Sequence, residues 1–304
     1  MKTLFFVESP LQLLNAFEAQ HFFNMKEYIY YIRLSNDMIN DAQIMHLINI
    51  LNIKHTTLIK INAKKKGVTD YLKLMYYRYI FTLTSQADRI LIGNFESKFC
   101  TLIMKKVPHN KIILLDDGAR SIALQDRFTS AYCYDLFTMY EIIPLHKQHI
   151  YKNSYTYIQT RLKTLQLDEK KIMFLGSKLS EAGIISEAYY IALMQKISDY
   201  YVDKKIVYIS HREEKKEKLQ KIQHIPNIQI VTLEYPIELY GLYNKTMPHK
   251  VSSFYSTALY TLQKIYKLQA ECFSFEYQQS PHKKSIDSVY AYYAKYMDII
   301  HLDD

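Results

Sequence analysis

Short apolar runs separated by longer amphipathic stretches set the rhythm of this chain. Residues 3–7 (Thr-Leu-Phe-Phe-Val), 28–32, 57–61, 89–92 and 111–115 are rich in β-branched, aromatic and other apolar side chains and are bounded by polar residues, which predicts buried strands. Between them the spacing is helical, as at Phe95, Phe99, Leu102 and Ile103. A second series follows at 171–175, 205–209, 228–233 and 270–275, with an amphipathic helix carrying Ile185, Tyr189, Leu193, Ile197 and Tyr200 or Tyr201 on one face. Strands alternating with helices predict parallel, helix-covered sheets, here in two similar α/β halves. The polar, weakly periodic stretch 151–169 marks the boundary, giving 1–155 and 156–304. A last apolar stripe, Ile286, Val289, Tyr290, Tyr293, Met297 and Ile300, predicts a final helix that packs back on the first half.

Composition narrows the class. The 304 residues allow two domains, and no apolar run approaches the roughly 18 residues of a membrane-spanning helix, so a cytoplasmic protein without signal or anchor is expected. Cys100, Cys133 and Cys272 are far apart and show no CxxC spacing. Neither a disulfide framework nor a structural zinc site is expected. With 39 Lys and Arg against 30 Asp and Glu, the formal charge of +9 favours anionic partners: nucleotides, nucleic acid or an anionic membrane surface. No recognition helix, RNP or zinc-finger pattern accompanies the charge, which ranks nucleic acid low. The runs Lys64-Lys65-Lys66 and Lys215 to Lys221 read as solvated surface. The 29 tyrosines, with no tryptophan, suggest amphipathic surfaces that would permit a homodimer.

The residues able to carry chemistry sit at strand exits. Of only six glycines, Gly93, Gly118 and Gly176 each follow a predicted strand, where backbone turns tightly or lets a ligand approach; they are expected to rim one cleft, Asn94 beside Gly93. Asp116-Asp117-Gly118 closes the strand 111–115, so two adjacent carboxylates stand where α/β sheets bind ligands and where a proton or hydroxyl can be handled. Ser9-Pro10-Leu11-Gln12 combines a serine N-cap, proline at the first helical position and glutamine closing a capping box; the same helix start can touch substrate. His211 follows the strand 205–209, ahead of a helix opening with Glu213 and Glu214. Glu234 and Glu238 follow the next strand, where acids can accept from ribose hydroxyls. Ser252 and Ser253 precede the run 254–262, as N-caps or as part of a phosphate site.

Taken together, the opening Phe5-Phe-Val-Glu-Ser-Pro-Leu-Gln-Leu-Leu-Asn-Ala16, Asp116-Asp117-Gly118, Ser210-His211-Arg212-Glu213 and Ser252-Ser253 resemble the bacterial sialyltransferases of glycosyltransferase family 52 and their polysialyltransferase relatives over nearly the whole chain. The resemblance implies the GT-B fold, two Rossmann-like α/β domains with parallel sheets facing a central cleft, the first on the acceptor side and the second binding the donor. It implies inverting, metal-independent transfer of sialic acid from CMP-sialic acid to a hydroxyl of a surface glycan, with no cofactor and with an acceptor that can be lipid-linked at the inner membrane face. Asp117, or Asp116, would be the base, with Glu181 and Glu187 as second choices. His211 would act at the leaving phosphate, Ser252 and Ser253 would hold it, and Glu234 or Glu238 would hold the ribose. Arg212 stands where that motif usually has proline, which adds a positive charge and keeps a UDP- or GDP-sugar donor open. The basic charge also suits a donor bearing phosphate and carboxylate.

Overall fold

In the computed structural model, which describes residues 1–62, 67–83, 86–122, 124, 133–145, 147–162, 165–277 and 283–302, the apolar runs form two parallel sheets. The Lys64–Lys66 run lies outside the described residues. The chain divides into two compact units, Met1–Ile158 and Gln159–Asp304.

In the first unit, β1 (Lys2–Val7), α1 (Pro10–Phe22), β2 (Glu27–Leu34), α2 (Met38–Ile50), β3 (Thr56–Lys60), α3 (Val68–Leu83) and β4 (Arg89–Ile92) are followed by α4 (Lys98–Met104), β5 (Ile112–Leu115), α5 (Ala119–Ile122), β6 (Asp135–Thr138) and β7 (Ile150–Lys152). The sheet order is β3-β2-β1-β4-β5-β6-β7, with every pair parallel. Phe5 and Phe6 on β1 are fully buried, one on each face, as a strand covered by helices on both sides requires. They stack on Tyr30 and Tyr31 of β2 at centroid distances of 4.4 and 5.1 Å.

The second unit takes up the chain within α6 (Thr156–Thr160). It continues through β8 (Gln166–Leu175), α7 (Glu187–Tyr200), β9 (Lys205–Ile209), α8 (Lys216–Gln223), β10 (Ile228–Val231), α9 (Tyr240–Tyr243), β11 (Thr246–Ser253), α10 (Thr257–Tyr266), β12 (Gln269–Ser274), α11 (Lys283–Tyr293) and β13 (Asp298–His301). Its sheet order, β10-β9-β8-β11-β12-β13, is again all parallel. In both sheets the first strand has later strands on either side, so the order reverses between β1 and β4 and between β8 and β11. Ligands of open α/β sheets bind at the carboxyl ends beside such a reversal.

The final stripe corrects one expectation. Helix α11 ends at Tyr293, and Ile300 belongs to β13, which pairs with β12. Ile286 and Tyr290 of the helix pack with Phe273, Phe275 and Ile300 in the core of the second unit, so the apolar face serves its own sheet. The stripe read as one helix because six apolar positions at helical spacing ran on without a Gly or Pro to break it. Among the described residues, no helix is long and apolar enough to cross a membrane.

Candidate functional site

Each unit gathers polar side chains at the carboxyl edge of its sheet. In the first, Ser9 caps α1, its Oγ accepting from the Gln12 backbone N–H at 3.3 Å, with Pro10 at the first helical position. Gln12 departs from the expected capping box: its Oε1 accepts from the Glu8 backbone N–H at 2.8 Å, one residue further back than the cap. That fixes the amide's orientation and sends Nε2 to Asp117 Oδ1 at 2.7 Å. A Cβ on Gly93 would stand 2.5 Å from Gln12 Oε1, so only glycine lets the end of β4 pass this side chain. Asn94 turns inward on its own loop, its Oδ1 accepting from the backbone N–H groups of Glu96 and Ser97.

The two adjacent acids have separate environments. Asp116 is buried and ties β5 to the end of β6, its Oδ1 accepting from Thr138 Oγ1 at 2.6 Å and its Oδ2 from the Met139 N–H at 2.7 Å. Asp117 is partly open: Oδ1 takes the Gln12 amide, and Oδ2 pairs at 3.0 Å with Arg120, which also reaches Glu96 at 3.3 Å. Gly118 at φ +62° makes the left-handed turn after the pair. The Asp117 backbone N–H donates to Ser121 Oγ at 2.9 Å. Beside Gln12, Glu8 and Arg33 form a largely enclosed ion pair at 2.9 Å, with Ser97 Oγ donating to the same carboxylate.

Burial pushes the Asp116 carboxyl from 3.8 up to about 6, against the opposing hydrogen bonds from Thr138 and Met139. The folded state therefore favours the neutral acid. The stability it contributes is complete below about pH 4 and is lost as pH rises through about 6, an interval worth about 3 kcal/mol. Denaturation midpoints of wild type, taken relative to Asp116→Asn, should fall between pH 4 and 7; a constant difference across that range would show that Asp116 titrates normally.

In the second unit, Gly176 follows β8, and a Cβ there would lie 2.5 Å from Glu214 Oε2 and 2.6 Å from the Tyr208 hydroxyl. Those atoms belong to a buried network. Lys218, on α8, is fully enclosed and meets Glu214 Oε1 at 2.8 Å, Glu181 Oε2 at 2.9 Å and the Ser177 carbonyl at 3.0 Å, with its ammonium 4.0 Å above the Tyr190 ring. Tyr208 donates to Glu214 Oε1 at 2.6 Å, and its hydroxyl shares a 2.7 Å hydrogen bond with that of Tyr190. The Lys215 to Lys221 run is thus not uniformly a solvated face. Its fourth residue is core.

His211 rests on this network. Its backbone N–H donates to Glu214 Oε2 at 2.6 Å, and its Nδ1 accepts from the Glu213 N–H at 3.2 Å, which leaves Nε2 to carry the proton of the neutral ring. Burial lowers its pKa, Glu213 opposes this, and the charges of Arg212, Lys178 and Lys218 reinforce it. Burial also raises the Glu214 carboxyl. Glu213 and Glu214 lie in the turn ahead of α8 rather than in its first turn; Lys215 is the cap residue. Arg212 is exposed. Glu181 and Glu187 are both engaged, the former by Lys218 and the Lys215 N–H, the latter by Lys221 at 2.6 Å.

Ser252 and Ser253 are not helix caps. They are the last residues of β11, both fully buried, with Ser253 Oγ donating to the Leu175 carbonyl at 2.8 Å, and Ser256 precedes α10 instead. Glu234 is exposed in the loop after β10, while Glu238 is enclosed in a single helical turn (Ile237–Leu239), where burial raises its pKa. The structure therefore brings Ser9, Gln12, Gly93, Asp116, Asp117 and Gly118 together in one unit, and Gly176, Glu181 and His211 in the other. Sequence reading passed over Arg120, Thr138, Tyr190, Tyr208 and Lys218. The i, i+4 spacing of Glu214 and Lys218 was the available signal.

No protein-family profile and no curated protein matches the chain. Solved structures do match it in fold. UDP-GlcNAc 2-epimerase from Neisseria meningitidis bound to UDP-GlcNAc aligns over 97% of this chain and 91% of its own at 11% identity and a TM-score of 0.59. UGT89C1 of Arabidopsis thaliana complexed with UDP-L-rhamnose covers 99% of this chain and 85% of its own at 8% identity and 0.54. MurG of Acinetobacter baumannii covers 100% and 87% at 9% identity and 0.50. With two all-parallel Rossmann-like sheets and these neighbours, the fold is GT-B.

Proposed function

We propose that this chain is a glycosyltransferase that takes sialic acid from CMP-sialic acid and passes it to a glycan hydroxyl. The observation that carries the reading is the arrangement of His211: a ring whose Nδ1 is occupied by a backbone N–H and whose neutral form holds its proton on Nε2, at the carboxyl end of β9. The acceptor oxygen attacks the anomeric carbon while its proton passes to Asp117. The bond from that carbon to the phosphate oxygen breaks, the electron pair leaves with CMP, and His211 Nε2–H meets the charge on the phosphate. Lys178 and Lys218 are paired with Glu213 and with Glu181 and Glu214, so the positive charge offered beside His211 is that of the exposed Arg212, which suits a donor with both phosphate and carboxylate. A UDP-sugar donor is the second reading, favoured by the fold neighbours that hold UDP-GlcNAc and UDP-L-rhamnose.

A thermal-shift panel of CMP, CDP, UMP, UDP and GDP in EDTA separates the two. A nucleotide at a hundredfold excess over Kd stabilises the native state by about 2.7 kcal/mol. Stabilisation by CMP and CDP alone, reduced in His211→Ala, is expected; stabilisation by UDP selects the second reading. Because the free ring is held neutral by burial, an anion bound at Nε2 draws in a proton, so affinity should strengthen as pH falls from 8 to 6. His211→Gln should flatten that dependence. Equal shifts in wild type and both variants would remove His211 from the nucleotide site.

A further inference from the structure

We propose that helix α3 is a docking surface for an anionic membrane, lying in the headgroup layer with its axis along the bilayer plane. Among its described side chains the helix is anchored on one side: Leu74 is buried and Tyr77 packs against the core of the first unit. On the opposite side Val68, Tyr71, Leu72, Met75, Tyr76 and Tyr79 recur at i, i+3, i+4, i+7 spacing, each between 46% and 78% exposed. A surface helix of a folded domain ordinarily turns its apolar stripe to the core and polar residues to water. Here large apolar and aromatic side chains take the outer face as well, forming a contiguous stripe of the kind that marks an interaction site.

Charge selects the occupant. Among the described residues of 54–77, Lys54, Lys60 and Lys73 are all exposed, against Asp70, within a chain of +9. Lys73 is exposed on the helix and its Nζ donates to the Lys60 carbonyl at 3.3 Å, which draws the helix's ammonium toward the end of β3, where Lys60 is itself exposed. Tyrosines with apolar rings and polar tips, among basic residues, match the depth profile of a bilayer boundary: rings at the acyl edge, hydroxyls and ammonium groups among phosphates. Anionic lipid contributes about 1 kcal/mol for each basic residue near its surface, and the apolar stripe adds burial.

Vesicle flotation tests this with the full chain, using phosphatidylcholine alone and phosphatidylcholine mixed with phosphatidylglycerol. Wild type should float with the anionic vesicles, weakly or not at all with the neutral ones, and less at high salt. Leu72→Glu with Tyr76→Glu should weaken binding about tenfold or more, and Lys73→Glu, which leaves the stripe intact, should lower binding to anionic vesicles. Circular dichroism of each variant establishes that it is folded; if the double variant is not, Lys73→Glu decides. Wild type that stays unbound, or variants that float as well as wild type, would overturn the proposal. So would a dimer, seen by light scattering, that the double substitution splits without any vesicle binding.

Discussion

Replacing Lys218 by alanine is expected to destabilise the protein by about 3–5 kcal/mol, read as a lower denaturant midpoint. The magnitude follows from what remains behind. Lys218 and Glu214 have fully enclosed side chains and Glu181 is nearly so, so the substitution leaves two carboxylates facing each other with no cation and little water. Burial already raises Glu214 toward its neutral form, and losing the ammonium would raise it further. The ammonium's position over the Tyr190 ring is lost too. Changing Glu214→Gln together with Lys218→Met removes one charge of each sign, and should cost less than the single change if unpaired charge dominates. A loss below about 1 kcal/mol for the alanine variant would mean that the pair behaves as an exposed one. Because the His211 N–H is held by Glu214, the same variant should also weaken the nucleotide response.

That network shows where sequence reading stops. The central strands were legible because each is a short apolar run with a glycine or carboxylate at its exit, and β5 and β9 appear at nearly the expected residues. Strands β6, β7 and β11 were not. β7 is three half-buried residues, and β11 opens with Thr246, Met247, Pro248, His249 and Lys250, with its register shifting between Pro248 and Lys250. No apolar run announces either one. Lys218 illustrates the same limit at the level of one residue: lysine among lysines predicts solvent, and only the fold brings Glu181, from the loop after β8, against it. For Asp116 and Asp117 the chain supplied the pair and its strand exit, but the division of labour came from Thr138, at the end of a strand that sequence reading did not find, and from the Met139 backbone just after it.

On the proposed reading of Asp117 as the base, Asp117→Asn is expected to slow sugar transfer by about 10²–10⁴-fold while leaving the melting temperature within a few degrees of wild type. Asparagine retains an oxygen for the Gln12 amide but cannot take a proton from the acceptor. The lost contact to Arg120 is a half-exposed ion pair, which contributes about 0–1 kcal/mol. The rate effect therefore exceeds the stability effect, the reverse of Lys218→Ala. Gln12 gives the comparison a second axis. It orients the Asp117 carboxylate through an amide fixed by the Glu8 N–H, so Gln12→Glu, which replaces the donor by a second carboxylate, should raise the pH at which activity appears. Steady-state rates across pH 5–9 for wild type and both variants, with Glu181→Gln alongside, decide the matter. Full activity in Asp117→Asn with its loss in Glu181→Gln would move the base to the second unit, where Glu181 would have to give up Lys218 to act.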